Sequence, residues 1–228
     1  MPIKLLIVAA TGGLGSAITR HAVSVGHNVS VLVRSAESAA EKLPDAVSVV
    51  VGDASDPGIL AAAVQGVDAV AVSVGAQAKA VVENAVSVVS GIAADTQPAL
   101  VMVGGSPALA MEDGSSAVTG AFGGAEWAQG LRDLHLGVTF AALEASKVGR
   151  YSMVCPGMMK ASEDGKPHGV HGFRPNIFDP SVAGVAATYD DVAVGFVSVA
   201  VDLVEGGDAS PYNKGKMAVA AGETKSEM

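Results

Sequence analysis

Residues 3–20, IKLLIVAATGGLGSAITR, constrain this chain more than any other stretch. The apolar run 3–10 reads as a short buried strand. It stops at Thr11-Gly12-Gly13-Leu14-Gly15, after which Leu14, Ala17, Ile18, Ala22 and Val25 recur at helical spacing. Strand, glycine turn and helix in this order form a seat for the pyrophosphate of a dinucleotide. Gly12 permits the tight turn and close approach of phosphates, and Gly15 lets the helix lie close on the strand. The helix N-terminus offers free N–H groups and the positive end of its dipole. Ala9 stands where G-x-x-G-x-x-G would begin. An ordinary strand–helix turn is the competing reading, so the rest of the chain must decide.

The chain repeats the unit. Residues 29–33 read as a second strand ending at Arg34-Ser35, followed by a short polar helix over 36–43 that Pro44 ends. Residues 47–51 give a third strand ending in Gly52-Asp53. Asp56 is placed to cap a helix over 58–65, with Pro57 at its first position and Gly66 as its stop. A fourth strand over 67–74 leads to a helix over 78–94, and a fifth over 99–103 ends in Gly104-Gly105-Ser106. Five β-α units with short connections specify a doubly wound parallel sheet, a Rossmann fold, with helices on both faces. Ligands of such sheets lie beyond the carboxyl ends of the strands, where small residues gather here.

Beyond residue 105 the pattern weakens. A helix is expected over 126–146, weakened by Gly130 and Gly137, then a sixth strand over 151–154 before Cys155-Pro156-Gly157. Residues 160–187 are irregular in composition. A helix with an acidic first turn opens at Tyr189 and runs to about residue 203, 217–220 suggest a last strand, and GETKSEM is a tail. The expectation is one domain over 1–228, with 106–124 and 158–188 as loops around a substrate cleft.

Composition supports this. Half of the 228 residues are hydrophobic but only 4% are aromatic, which suits Val-rich parallel strands under Ala-rich helices. A formal charge of -9 argues against nucleic acid as a partner, while local N–H groups and one or two cations suffice for a dinucleotide. With Cys155 as its one cysteine the chain forms no internal disulfide. There is no signal segment and no apolar run long enough for a bilayer, so a cytoplasmic protein without membrane contact is expected.

The segments together resemble the atypical short-chain dehydrogenase/reductases, in particular the NmrA-like and NADH-flavin-reductase-like NAD(P)-binding group. Its G-A-T-G-x-x-G opening stands here as Ala9-Ala10-Thr11-Gly12-Gly13-Leu14-Gly15, departing at Ala9. VLVRS at 31–35, VVVGDASDPGILAAAVQGVDAVAVSVG at 49–75 and VMVGGSPAL at 101–109 are similar to its next segments. YSMVCPGMM at 151–159 and YDDVAVGFVSVAVD at 189–202 are similar to its late ones. The resemblance implies cofactor binding by Ala9, Thr11, Gly12, Gly13 and Leu14 at the turn, with Asp53 and Ala54 near the adenine. Ser73, Val74 and Gly75 would lie beside the ribose and pyrophosphate, with Pro156 after the sixth strand. Arg34 ends the second strand, where an arginine accommodates a 2′-phosphate and an acid would bind the NAD ribose, so NADP(H) is preferred over NAD(H). A solvated arginine is the alternative there, and for Asp53 a cap of the 54–56 turn.

Reaction chemistry is less legible. The tyrosine–lysine dyad of ordinary short-chain dehydrogenases needs Tyr-x-x-x-Lys. Only Tyr212 and Lys216 have that spacing, late and in a loop; Lys147 precedes Tyr151 in reverse order. Ser106 is the catalytic candidate, by hydrogen bonding to a carbonyl or flavin oxygen, unless it serves the turn before Pro107. Glu144 faces cleft or solvent, and Cys155 reads as a buried inert thiol. His168 and His171 lack the carboxylate partner of a metal pair, so no metal is expected. The expected activity is an NADPH-dependent reductase acting on a flavin, quinone or similar small conjugated acceptor, as a monomer or homodimer. A non-catalytic NADP(H)-sensing regulator and a sugar-type epimerase or isomerase are the alternatives.

Overall fold

The glycine turn and the strand ends fix where the sheet's working edge lies. The computed structural model describes residues 1–167, 170–178 and 187–221. The five β-α units form in the expected order: β1 (Lys4–Val8), α1 (Gly13–Ser24), β2 (Asn28–Val33), α2 (Ala36–Lys42), β3 (Ser48–Val51), α3 (Pro57–Ala63), β4 (Ala69–Val72), α4 (Lys79–Ser90) and β5 (Ala99–Val103). They are followed by α5 (Ala117–Gly120), α6 (Glu126–Leu134), α7 (Ala141–Glu144) and β6 (Tyr151–Pro156). Last come β7 (Met159–Lys160), β8 (Val170–Pro175), β9 (Ala187–Thr188), α8 (Tyr189–Gly206) and β10 (Gly215–Ala221).

The main sheet has the order β3-β2-β1-β4-β5-β6-β10-β8. All its pairings are parallel except β10 with β8, so this is a Rossmann-type sheet with one antiparallel edge. Val8 stands opposite both Leu32 and Val72, which brings the carboxyl ends of β1, β2 and β4 level. The order reverses between β1 and β4, and a crevice opens outside the strand ends at such a point.

Side-chain alternation divides the core. Leu5, Ile7, Val31 and Val101 face α1 and α8, with Phe196 fully buried among them; Leu6, Val8, Leu32 and Leu100 face α3, α4 and α7. Asp56 caps α3 as expected, its Oδ1 accepting from the N–H groups of Gly58 and Ile59 at 2.8 and 3.2 Å. The acidic start of α8 is a capping box. Asp191 Oδ2 accepts from the Thr188 N–H at 2.9 Å, and Thr188 Oγ1 accepts from the Asp191 N–H at 3.1 Å.

Several expectations are corrected. Val25 is 52% exposed, because α1 ends at Ser24 and Gly26 turns the chain with φ +88°. Helix α4 stops at Ser90 rather than residue 94, and β4 is limited to Ala69–Val72. The helix expected over 126–146 is interrupted: between α6 and α7, residues His135–Phe140 form a π-helix that contains Gly137. Segment 106–124 contains a 3-10 turn, Ser106–Ala108, and helix α5. Segment 158–188 is not wholly irregular, since β8 extends the main sheet and β7 pairs with β9. The sequence of β8, VHGFRP, combines Gly and Pro without alternation and so carries no strand signal. The tail at 222–228 lies outside the described residues. No helix among the described residues is long and apolar enough to cross a membrane.

Candidate active site

A cavity of about 870 Å³ lies over the carboxyl ends of β1 to β4. Ala9, Thr11, Gly12, Gly13 and Leu14 form one wall, Arg34 another, and Asp53, Ala54, Ser73 and Val74 complete it. The structure therefore brings ten of the twelve expected cofactor residues together. The turn is held in a demanding way. Ala9 has φ +62°, the left-handed region that disfavours any side chain, which explains why a glycine suits this position. A Cβ on Gly15 would lie 2.4 Å from the Ala9 carbonyl oxygen and 2.8 Å from the Ala10 Cα, so only glycine lets α1 sit this close to β1. Ser73 Oγ donates to the carbonyl of Val8 at 2.8 Å, so it braces the turn rather than offering a free hydroxyl.

The N-terminus of α1 opens into this cavity. No side chain caps it and no acid occupies its first turn, so its dipole is uncompensated there. Arg34, Lys42 and Lys79 line the same cavity, a cationic lining on a chain of net charge -9. Lys79 is paired with Glu83, whereas Arg34 forms no hydrogen bond or ion pair among the described residues. Asp53 does cap its turn: its Oδ1 accepts from the N–H and hydroxyl of Ser55, both at 2.8 Å. Those bonds, and more weakly Arg34, hold its carboxyl below the usual range. A bare helix end, a glycine turn and unpaired cations fit a dinucleotide diphosphate. Lys42 and Lys79 carry no sequence signal that separates them from solvated helix charges; only the fold sets them at the cavity.

The other two expected cofactor residues lie elsewhere. Gly75 is outside the lining of the large cavity, with His135 Cε1 at 3.8 Å from the position of a Cβ on it. Pro156, with Ser106, lines a second cavity of about 460 Å³ at the carboxyl ends of β5 and β6. Phe122, Trp127 and Phe178 form an aromatic cluster in its wall, with Met158 and Met159 at its mouth. Ser106 is 4% exposed. It begins the 3-10 turn, its carbonyl accepting from the Leu109 N–H at 3.1 Å. His135 lines this cavity too and was absent from the sequence expectations, because a single histidine in a helix has no motif.

The remaining candidates are dispersed. Cys155 is fully buried, and burial pushes its thiol up to about 12, as expected of an inert thiol. Glu144 is exposed. Tyr212 packs on the α8 side of the sheet, whereas Lys216 places its Nζ 4.1 Å over the Phe140 ring on the opposite side. The two side chains thus pack on different sides of the sheet. His168 lies outside the described residues, as does the side chain of His171, and no metal-binding cluster occurs among the described residues.

Comparison with known structures agrees with this geometry. An NADH-flavin reductase candidate from Streptococcus pneumoniae has 23% identity, with 96% of this chain and 100% of that chain covered and a TM-score of 0.70. A short-chain dehydrogenase/reductase from Veillonella parvula in complex with NADP has 15% identity, 98% and 97% coverage and a TM-score of 0.65. An anaerobillin reductase from Escherichia coli has 18% identity, 98% and 100% coverage and a TM-score of 0.63. At these identities the likeness is one of fold. No curated protein matches the sequence. The sequence itself matches the NAD(P)H-binding family over residues 9–199, a span that holds the glycine turn and both cavities' main walls, and the chain belongs to that family.

Proposed function

We propose that the protein is an NADPH-dependent reductase that passes hydride to a small conjugated acceptor such as a flavin or a quinone. The observation that carries this reading is the second cavity. It is largely apolar, lies at the carboxyl ends of β5 and β6, and has Ser106 in its lining. A protein that only sensed its cofactor would need the first cavity alone. When bound, NAD(P)H supplies the hydride, so the chain's tasks are to orient, to shield from water and to stabilise charge on the acceptor.

In this reading the pyrophosphate sits at Thr11, Gly12, Gly13 and Leu14, against the N-terminus of α1. Arg34 and Lys42 meet the 2′-phosphate, which sets the preference for NADP(H) over NAD(H). Asp53 and Ala54 border the adenine, and Ser73 fixes the turn through Val8. Val74, Gly75 and Pro156 border the passage from cofactor to acceptor. Ser106 donates a hydrogen bond to the acceptor. One domain carries both cavities, acting as a cytoplasmic monomer or homodimer. The test is oxidation of NADPH and NADH with FMN, FAD and a series of quinones. Turnover with at least one acceptor, faster with NADPH, is expected; no turnover with any of them refutes the reductase reading.

A further inference from the structure

The imidazole of His135 is only 5% exposed, and its Nδ1 is buried without a hydrogen-bond partner. A buried polar atom left unpaired is destabilising. It persists here inside a π-helix, a rare form that recurs at functional sites. The ring lines the second cavity, close to the turns after β4 and β5. A Cβ on Gly105 would lie 3.2 Å from its Nε2, and one on Gly75 would lie 3.8 Å from its Cε1. Gly105 thus leaves room that the ring fills, whereas at Gly75 the ring is in ordinary contact. Burial pushes the imidazole below its ordinary value, so it is uncharged near neutral pH. Thr139, four residues on in the same π-helix, also buries an unpartnered hydroxyl.

The second cavity adds a constraint. Among the described residues its lining has aromatic, Met, Leu, Gly, Pro, Ala and Ser side chains and His135, with no acid, lysine or arginine. A phosphate or carboxylate would enter it without a counter-charge, which is costly away from water. Flat aromatic rings pack well on Phe122, Trp127 and Phe178.

We propose that His135 donates a hydrogen bond to the carbonyl oxygen of an uncharged, planar quinone-type acceptor seated in the second cavity. This rests on the reductase reading and names its substrate class. The quinone gains two electrons and one hydrogen as hydride from NAD(P)H, which becomes NAD(P)+. Negative charge collects on the carbonyl oxygen, where His135 and Ser106 stabilise it, and a proton from water completes the hydroquinone.

The chain's one tryptophan, Trp127, lines the cavity, so its fluorescence reports occupancy directly. With NADP+ present, menadione should quench Trp127, and 1,4-naphthoquinone-2-sulfonate should bind at least about tenfold more weakly. Equal binding of the two overturns the uncharged class. His135→Phe keeps the ring volume and removes the N–H groups. It should lower kcat with menadione about 100-fold while leaving the quenching constant within about threefold. His135→Gln, which retains an N–H donor, should recover most of kcat. A His135→Phe protein with unchanged kcat, or loss of quenching in both variants, overturns the role of His135. Should His135→Phe fail to fold, ring 15N resonances of His135 in the native protein must shift when menadione binds, and no shift overturns the contact. Absence of any NADPH oxidation by the native protein would instead remove the reductase reading itself.

Discussion

Gly15→Ala and Gly130→Ala are the same chemical change in two helices, and the structure gives them opposite signs. At Gly15 a Cβ would lie 2.4 Å from the Ala9 carbonyl oxygen, 2.7 Å from Ser73 Oγ and 2.8 Å from the Ala10 Cα. Two of the three are backbone, so α1 must lift off β1 or the turn must open. Overpacking of this kind costs about 1–3 kcal/mol. Displacing Ser73 from its 2.8 Å bond to Val8 adds about 1 kcal/mol. The better helix propensity of alanine returns about 1 kcal/mol, leaving a net loss of about 2 kcal/mol. For a chain of this size that lowers Tm by about 4–8 °C. At Gly130, in exposed mid-α6, nothing lies within 4 Å, so the propensity gain stands alone and Tm should rise by about 1–4 °C. Differential scanning calorimetry of the two variants decides. A Gly15→Ala protein as stable as the native one would show that the close helix–strand contact does not constrain this site.

Arg34→Ala should weaken NADP(H) about tenfold and leave NAD(H) unchanged by calorimetric titration, the low end of a charge-assisted contact because Arg34 is exposed and Lys42 remains. Gly12→Val, whose Cβ would meet only the Ala9 oxygen at 3.5 Å, should keep its Tm yet weaken both cofactors. Ala9→Gly should raise stability by about 0.5 kcal/mol and Ala9→Val lower it by about 1–2 kcal/mol, read by urea unfolding, since φ is +62° there. Thr188→Val removes half of the capping box and should cost about 1–2 kcal/mol in the same assay. Cys155, at about 12 against an ordinary 9.0, should resist a thiol reagent at pH 8 until the chain unfolds. Because its folded value is raised, the stabilising difference is full below about pH 9 and is lost as pH climbs toward 12.

What could be read from the sequence follows from how local each cause is. Strands β1 to β6 are short apolar runs with small or polar residues close after them, and helix α3 announces itself through Asp56-Pro57, so local chemistry suffices. The glycine turn is equally local, down to Ala9 in the place of a glycine. Strand β8 escaped because its pairing with β10 supplies what VHGFRP lacks. The placement of Lys42 and Lys79 at one cavity and of His135 at the other depends on how helices α2 and α4 and the π-helix lie against distant strand ends. Helical charges and a single histidine look the same in sequence whether they face a cleft or water. Resemblance assigns Gly75 and Pro156 to the cofactor surface, whereas the structure sets Pro156 in the second cavity and leaves Gly75 out of both linings.

A π-helix holds one residue more per turn than the α-helices it joins, so His135–Phe140 is in effect an insertion that the fold has absorbed. Such an insertion rotates everything before it by roughly 100° relative to everything after it, given 3.6 residues per turn. Single-residue deletions in buried helices ordinarily scramble a core. In this stretch, removing Gly137 should instead convert the segment to an uninterrupted α-helix, keep α7 on the sheet and swing α6 around its own axis. His135 would leave the second cavity while the strands stayed in place. The reading frame of one helix thus separates the presence of a fold from the presence of its site, and length variation at this point would change chemistry without changing architecture.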